Sequence, residues 1–547
     1  MLFYLFIGLL GLCCPSSALA ASSPTGTIRE AEFIIEKEKE HRFPESARLF
    51  AKAPLPTYTS YASQQLIYYF REIQPTGYLL PYKSKLSSIK PEMQAKHYPY
   101  YLHLGHGNRY APYLEGLLYS QRVDQARYFY TLHLRHTSRG AHGYFEEAHH
   151  SAQAYGQACT DTLLWEGAIS YAWDQYPHIE PVGSLVHLGP RRLPAPRFNQ
   201  IRCHGTLTSR PKVRVQYQAQ VQGSYVSSPW DSLEKQGSLC GEVGAQVRPD
   251  LRLHITADSY LTQYKHRIAI SRHLGRCKPT LHLLLQHLEI ELGGNVVYQN
   301  ERSTLVRNCN LYPLFKIQGT SSPQIRPYLE LGGDIQRTSW ETFVSENPWI
   351  APGADIRHAN QRFILCGGTH GNLRSDIHFH TGLSTAHYEN FPCFVNQATD
   401  PRQLDVVYAP AALVNHAFGE LTQGSPLSKL TTHIRADYWH YRLKQLSHPW
   451  HRPTYALHIS SMYRGYEKLS CTGSLAWLGG IVAYDIAKQK IYRLEPILDL
   501  GCSLAYAWSK QLTIGLDVKN LLNREQPFYR YTPAYKCQWL LHFTFMW

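Results

Sequence analysis

Cys537-Gln538-Trp539-Leu540-Leu541-His542-Phe543-Thr544-Phe545-Met546-Trp547 closes the chain. Cys537, Trp539, Leu541, Phe543, Phe545 and Trp547 form one apolar, mostly aromatic row, and Gln538, His542 and Thr544 alternate with it. A period of two is the signature of a strand with two unlike faces. A row this aromatic needs apolar surroundings along its whole length.

The same alternation recurs upstream. From Lys212 to Gln222, Val213, Val215, Tyr217, Ala219 and Val221 point one way, and Lys212, Arg214 and four glutamines point the other. Ala126, Tyr128, Tyr130, Leu132 and Leu134 alternate with Arg127, Thr131, His133 and Arg135, and the pattern returns at 251–258, 325–336, 430–438, 455–463 and 494–518. Ser509-Lys510-Gln511 is short enough for a hairpin turn. A soluble sandwich or propeller also alternates, but these strands are long for a sandwich and no blade-length repeat is present. The expected fold is all-β: a transmembrane antiparallel up-and-down β-barrel.

The other end of the chain fixes the expected compartment. Leu2 to Leu12 is an apolar run, and Ala18-Leu19-Ala20 supplies the small residues of a cleavage site, so residues 1–20 are read as a signal peptide although no Lys or Arg precedes the run. A lipid anchor on Cys13 or Cys14 is disfavoured because Leu12 and Cys13 are not small. Residues 21–97 read as a periplasmic tether: a charged stretch around Phe33-Ile34-Ile35, then an extended connector broken by Pro54, Pro56, Pro75, Pro81 and Pro91. No later stretch has the length of an apolar membrane helix.

Residues 98–547 then form the barrel, with room for about 14 to 18 strands of roughly ten residues plus turns and loops. Long external loops are expected at 141–158, 338–362 and 388–402, and the phase change within Leu281 to Leu292 suggests a bulge or a register change. The 39 tyrosines suit aromatic girdles. The formal charge of +14 points to phosphorylated lipid headgroups, anionic solutes or an acidic partner, or to a lumen and loops that are merely basic; the export signal argues against nucleic acid. No C-x-x-C pair occurs among the cysteines after Cys14; loop disulfides, for example through Cys366 and Cys393, are permitted, whereas Cys502 and Cys537 are read as small lipid-facing side chains.

Two stretches carry a resemblance. Val518-Lys519-Asn520-Leu521-Leu522-Asn523, followed by Tyr529, Tyr531, Pro533 and the closing strand, resembles the end of TonB-dependent receptors. Tyr101-Leu102-His103-Leu104-Gly105-His106-Gly107-Asn108-Arg109-Tyr110-Ala111-Pro112-Tyr113, with His133-Leu134-Arg135-His136-Thr137-Ser138, resembles the start of TonB-receptor-like barrels of the Bacteroidota that lack a plug. Arg109 intrudes before Tyr110, and Thr137 stands where that pattern has serine. The resemblance implies an outer-membrane place and fold more than an activity. The stretch from Ala21 to Pro99 is too short for the plug of a true TonB-dependent receptor. The terminal row Trp539, Phe543, Phe545 and Trp547 resembles the signal by which the insertion machinery recognises such barrels.

Candidate chemistry is sparse. His133, His136, His142, Glu146, Glu147, His149 and His150 hold metal-ligand atom types, but in no diagnostic spacing, and a polar loop accounts for them. No G-x-S-x-G elbow, P-loop or dinucleotide fingerprint is present, so neither an enzyme nor a cofactor is expected. Two functions remain. The first is a channel or transport pore whose lumen residues Arg127, Arg135, Lys212, Arg214, Arg252, Arg326 and Arg435 favour anions, while the carboxylates Glu330, Asp334, Asp437, Asp499 and Asp517 offset them and leave the selectivity open. The second is an accessory barrel that anchors envelope partners through residues 21–97 or its loops. Lipid and lipopolysaccharide surround either one, and lumen occupancy discriminates between them.

Overall fold

The computed structural model describes residues 99–547 apart from 109, 121–127, 140–146, 178–194, 211–214, 267–268, 302–307, 321, 323, 425–427 and 533. The expected signal peptide and tether lie outside the described residues, as do Arg127, Lys212, Arg214 and His142.

The strands are β1 (Tyr100–Gly107), β2 (Tyr110–Tyr119), β3 (Tyr128–Arg139), β4 (Glu147–Cys159), β5 (Leu163–Gln175), β6 (Arg197–Ser209), β7 (Val215–Ser227), β8 (Leu233–Arg248) and β9 (Leu251–Lys265). Next come β10 (Ala269–Leu284), β11 (Leu288–Gln299), β12 (Cys309–Gly319), β13 (Arg326–Gln336), the helix α1 (Trp340–Glu346), β14 (Ala359–Arg374), β15 (Ile377–Glu389), β16 (Phe391–Asn396) and β17 (Leu404–Ala409). The last are β18 (Ala412–Gln423), β19 (Leu430–Leu443), β20 (Tyr455–Tyr463), β21 (Leu469–Gly479), β22 (Val482–Asp485), β23 (Lys490–Arg493), β24 (Ile497–Ala507), β25 (Leu512–Lys519) and β26 (Gln538–Met546).

Twenty-two of them form one antiparallel sheet, and β16, β17, β22 and β23 form a separate four-stranded sheet. The large sheet closes on itself where β1 pairs with β26, from Tyr101 opposite Met546 to Gly107 opposite Leu540. Closure leaves no free edge, so each strand has a partner on both sides. Among the described residues no helix is long and apolar enough to cross a membrane.

The outward face is apolar and bare. Leu132, Val221, Leu239, Leu261, Leu383 and Leu516 are exposed near mid-strand, with Tyr128, Trp165, Tyr506 and Trp547 toward one end and Tyr171, Tyr225, Trp477 and Trp539 toward the other. An apolar band between two aromatic girdles is the surface of a barrel immersed in lipid.

The two ends differ. At the end where β1 starts and β26 stops, strands are joined by short turns, such as 249–250, 285–287 and 375–376. At the opposite end the connections include 337–358, 390–411, 480–496 and 520–537. The first is the turn end of the barrel and the second its loop end.

Several expectations are corrected. The barrel has 22 strands, above the expected range, because many connections between neighbours, such as 249–250, 285–287 and 375–376, are only two or three residues long, although strands such as β8 and β14 run to 16 residues. Most of 141–158, expected as a loop, is strand β4. Its outward positions are Ala148, Ala152, Ala154, Gly156 and Ala158, opposite Ser138, Leu134, Leu132, Tyr130 and Tyr128 of β3, so small side chains disguise the alternation. The phase change after Leu281 is a hairpin turn, not a bulge: Leu284 pairs with Glu289, and Leu285 N–H donates to Leu288 O. Cys366 and Cys393 are both free and buried, the first on the barrel wall and the second in the small sheet. Cys537 lies just before β26, where its carbonyl accepts from Asn108.

The stretches that carry the family resemblance meet at the closing seam. Asn108 also accepts from Trp539 N–H, and Ser138 donates to Pro112 O. Asn520 and Asn523 take positive φ, a conformation asparagine tolerates, and Asn523 accepts from Cys537 N–H.

Candidate functional site

The inner wall is lined with paired charges. Tyr113 and His133 both hold Glu115, at 2.8 Å each, and Arg135 lies over the Tyr113 ring. Arg276 bridges Asp258 and Asp334 at 2.9 and 2.8 Å, and Lys278 joins Asp334 at 3.0 Å. On β18 and β19, Arg435 contacts Glu420 and Asp437, with His433 on Glu420 and His416 on Asp437. Cross-strand register sets Arg326, His370, His380, Glu420, Arg435 and His458 opposite one another in one row across β13, β14, β15, β18, β19 and β20. Directly opposed side chains stand close enough to interact, so this row is one polar surface. Carboxylates between the cations hold charge on a wall where an unpaired ion would be costly.

The expected lumen residues Arg135, Arg252, Arg326 and Arg435 lie on this inward face. Arg252, with its Nε toward Gln246, and Arg326 are exposed, as is Gln216.

The histidine cluster does not stay together. His133 and His149 point inward, His149 lying between Glu147 at 2.7 Å and Asp174 at 2.5 Å. His136 and His150 point outward, with their Nδ1 atoms 3.0 Å apart and the Trp173 ring beside His150. Neighbouring residues of a strand face opposite sides, so His149 and His150 cannot serve one site. Among the described residues no group of three or more His, Cys, Asp or Glu is placed to hold a metal ion.

Sequence reasoning missed the structure that fills the mouth at the loop end. Segment 337–358 folds across the lumen. Ser339 caps α1 by accepting from Thr342 N–H, and the Glu234 carboxylate on the wall accepts from Trp340 and Glu341 N–H at 2.8 and 3.0 Å. Glu341 in turn receives Arg202, Ser224 and Gln236 from β6, β7 and β8. Trp340 and Val344 bury against Phe198, Val226 and Tyr264 of the same wall, and the Tyr264 hydroxyl donates to Pro352 O.

From the other side, 390–411 folds into the hairpin β16–β17, and 480–496 into β22–β23. Phe343, Ile350, Phe394, Leu404, Val406 and Tyr529 pack into one cluster joining 337–358, the small sheet and 520–537. A second cluster sets Phe391, Cys393 and Trp450 against wall residues Tyr388, Val414 and Trp439.

Where these segments meet lies an ion pair. Arg452, on 444–454, donates to Glu346 at 2.8 Å and to Pro392 O, and its guanidinium lies over the Phe391 and Phe394 rings. Arg452 is 0% exposed and Glu346 2%. Burial pushes the Glu346 carboxyl up to about 7 against the pull of Arg452. Burial likewise lowers His451 to about 4 and His358 to about 3, so both are neutral at neutral pH. The loops thus form a cap with its own apolar core, seated inside the barrel mouth.

No protein-family model and no curated protein matches this sequence. Solved structures do match in fold. The FrpB iron transporter from Neisseria meningitidis (F3-3 variant) superposes with a TM-score of 0.65 at 8% identity, over 83% of this chain and 82% of that one. The siderophore receptor PirA from Acinetobacter baumannii gives 0.59 at 9% identity over 82% and 80%. The copper transporter OprC gives 0.58 at 10% identity, again over 82% and 80%. The chain therefore has the barrel fold of these transporters and receptors.

Proposed function

We propose that this protein is an outer-membrane transport barrel whose external loops form a gate. The cap carries the reading: a folded, buried-core element closes the loop end, while inward side chains nearer the turn end, such as Gln216, Arg252 and Arg326, remain exposed on a polar wall. Short turns lie on the periplasmic side of such barrels and long loops outside, so the cap faces the medium. The signal-peptide reading and the fold shared with an iron transporter, a siderophore receptor and a copper transporter support the location and a transport role.

The solute class is small anions, drawn by Arg135, Arg252 and Arg326, with Arg127, Lys212 and Arg214 as further contributors; Glu420 and Asp437 offset Arg435. Transport works without a plug or TonB, a reading supported by the resemblance of residues 101–113 and 133–138 to plug-less barrels.

A second reading is that of an accessory barrel anchoring envelope partners, and the filled mouth favours it as much as a gate. Single-channel conductance of refolded protein separates them. The gate reading expects little current from the native chain and steady current from Arg452→Ala, with anions preferred and the preference shrinking as salt rises. Silence from both leaves the anchoring reading, and a fully conducting native chain removes the gate. Uptake that is lost without TonB or the proton gradient overturns the independent mechanism.

A further inference from the structure

The outward wall of β8 and β9 carries two cations near the loop end. Lys235 stands opposite Tyr225 of β7 and Gln263 of β9, and Lys265 stands opposite Leu233 of β8. The two residues thus occupy diagonal positions on adjacent strands, their backbones about 7–8 Å apart, within reach of both long side chains. Both lysines are exposed, and neither forms an ion pair with a carboxylate among the described residues. The adjacent carboxylate, Glu234, points inward and is occupied by the α1 backbone. Arg197, at the loop-end start of β6, is a third exposed outward cation.

Their level on the wall is marked by aromatic residues. Tyr171 and Tyr225 lie in the same cross-strand row as Lys235. Toward mid-strand the face becomes Leu239 and Val243 on β8 and Leu261 and Ile255 on β9. Tyrosines at this height mark the boundary between hydrocarbon and headgroups. Two like charges on one membrane-facing patch repel each other. Long stems let them reach toward water, but an anion held between them turns the repulsion into attraction.

We propose that Lys235 and Lys265 bind the phosphate groups of a phosphorylated glycolipid, the lipid A headgroup of lipopolysaccharide in the outer leaflet. Each ammonium donates to a phosphate oxygen, while Tyr225 and the apolar band below meet the sugar edge and acyl chains. The site rests on the outer-membrane placement proposed above and is independent of transport.

The test uses the full chain in phosphatidylethanolamine vesicles containing either bisphosphorylated lipid A or its dephosphorylated form, with retained glycolipid measured after detergent extraction. Preferential retention of the bisphosphorylated form is expected, and it should fall about thirtyfold when Lys235→Gln and Lys265→Gln are combined. The Lys235→Arg, Lys265→Arg pair and Arg442→Gln, an outward cation on β19, should retain it. Equal retention of the dephosphorylated form, full retention by the double glutamine variant, or saturation by inorganic phosphate alone overturns the site. Labelling of Asp231→Cys on intact cells reports separately on membrane placement, so failure of that reading is distinguishable.

Discussion

The two ends of the barrel solve the same problem, reversing the chain between neighbouring strands, in opposite ways. At the turn end, 249–250 and 375–376 reverse it in two residues, and polar groups of the turn meet water directly. At the loop end, 337–358, 390–411 and 480–496 spend many more residues and then bury them, so they need a core, a helix cap and an internal ion pair. A tight turn is held by the barrel. The cap has a core of its own and is fastened to the wall by side-chain contacts, not by the barrel's backbone ladder, so it can open without the barrel opening, which is the physical content of a gate. Connections of this length that fold are commonly functional elements.

The comparison breaks first at Arg452. Arg452→Ala leaves Glu346 buried without its partner and should destabilise the cap by about 3–5 kcal/mol. Hydrogen exchange should rise in 390–411 and 444–454 and stay slow in the barrel strands. Exchange that rises equally in the strands would show that cap and barrel are one cooperative unit.

The barrel is probed from its lipid face. Val221→Arg, on an exposed outward position of β7, should cost about 2–4 kcal/mol, whereas Gln220→Arg, pointing into the polar lumen, should cost much less. Refolding into vesicles across a urea series measures both. Equal losses would mean that both faces are buried, as in a soluble fold.

Acid sharpens the contrast. A neutral buried histidine with a depressed pKa contributes stability that is lost as pH falls from about 6.5 through its folded value, so His451 and His358 weaken the closed cap in acid. A carboxyl with a raised pKa acts in reverse: its contribution is present at low pH and lost as pH rises through about 7. Glu346 therefore offsets the histidines, as does Glu301, which burial also raises. Glu346→Gln removes one offset, and its cap should lose about 1–2 kcal/mol more than the native cap between pH 7 and pH 5. Proteolysis of the loops across this range checks it, and parallel pH curves would remove the assignment.

The smallest effect concerns the turn end itself. Trp547 stacks on Tyr100 at 5.6 Å. Alanine at Trp547 should cost about 0.5–1.5 kcal/mol, and replacing Phe545 as well should lower the yield of heat-modifiable protein in membranes. Unchanged yield would leave Trp539, Phe543, Phe545 and Trp547 with a purely lipid-facing role.

What the sequence made legible follows from periodicity. Val221, Leu516 and Phe543 could be placed on the outward face because large apolar residues recur at every second position around them. β4 was missed because alanine and glycine on its outward face give no contrast with Ser151 and Gln153. The cap was missed because Phe343 and Ile350, Phe394, and Tyr529 come from three separate loops with no common period, and only the fold brings them together. The histidine cluster was a failure of a different kind. Parity alone puts His149 and His150 on opposite faces, so the signal that dissolves it was present once β4 is read as a strand.

The seam carries a consequence for how the molecule is made. Asn108 and Trp539, joined by a hydrogen bond, are 431 residues apart in sequence, and Tyr100 and Trp547 exchange backbone hydrogen bonds. The contact that abolishes the sheet's edges is thus among the most remote in the chain, and it forms only after β26 exists. Until then β1 and the newest strand each present unpaired backbone, a template for pairing with other chains. Remote pairing is slow to form, so the growing chain must be kept from its neighbours until its final strand arrives.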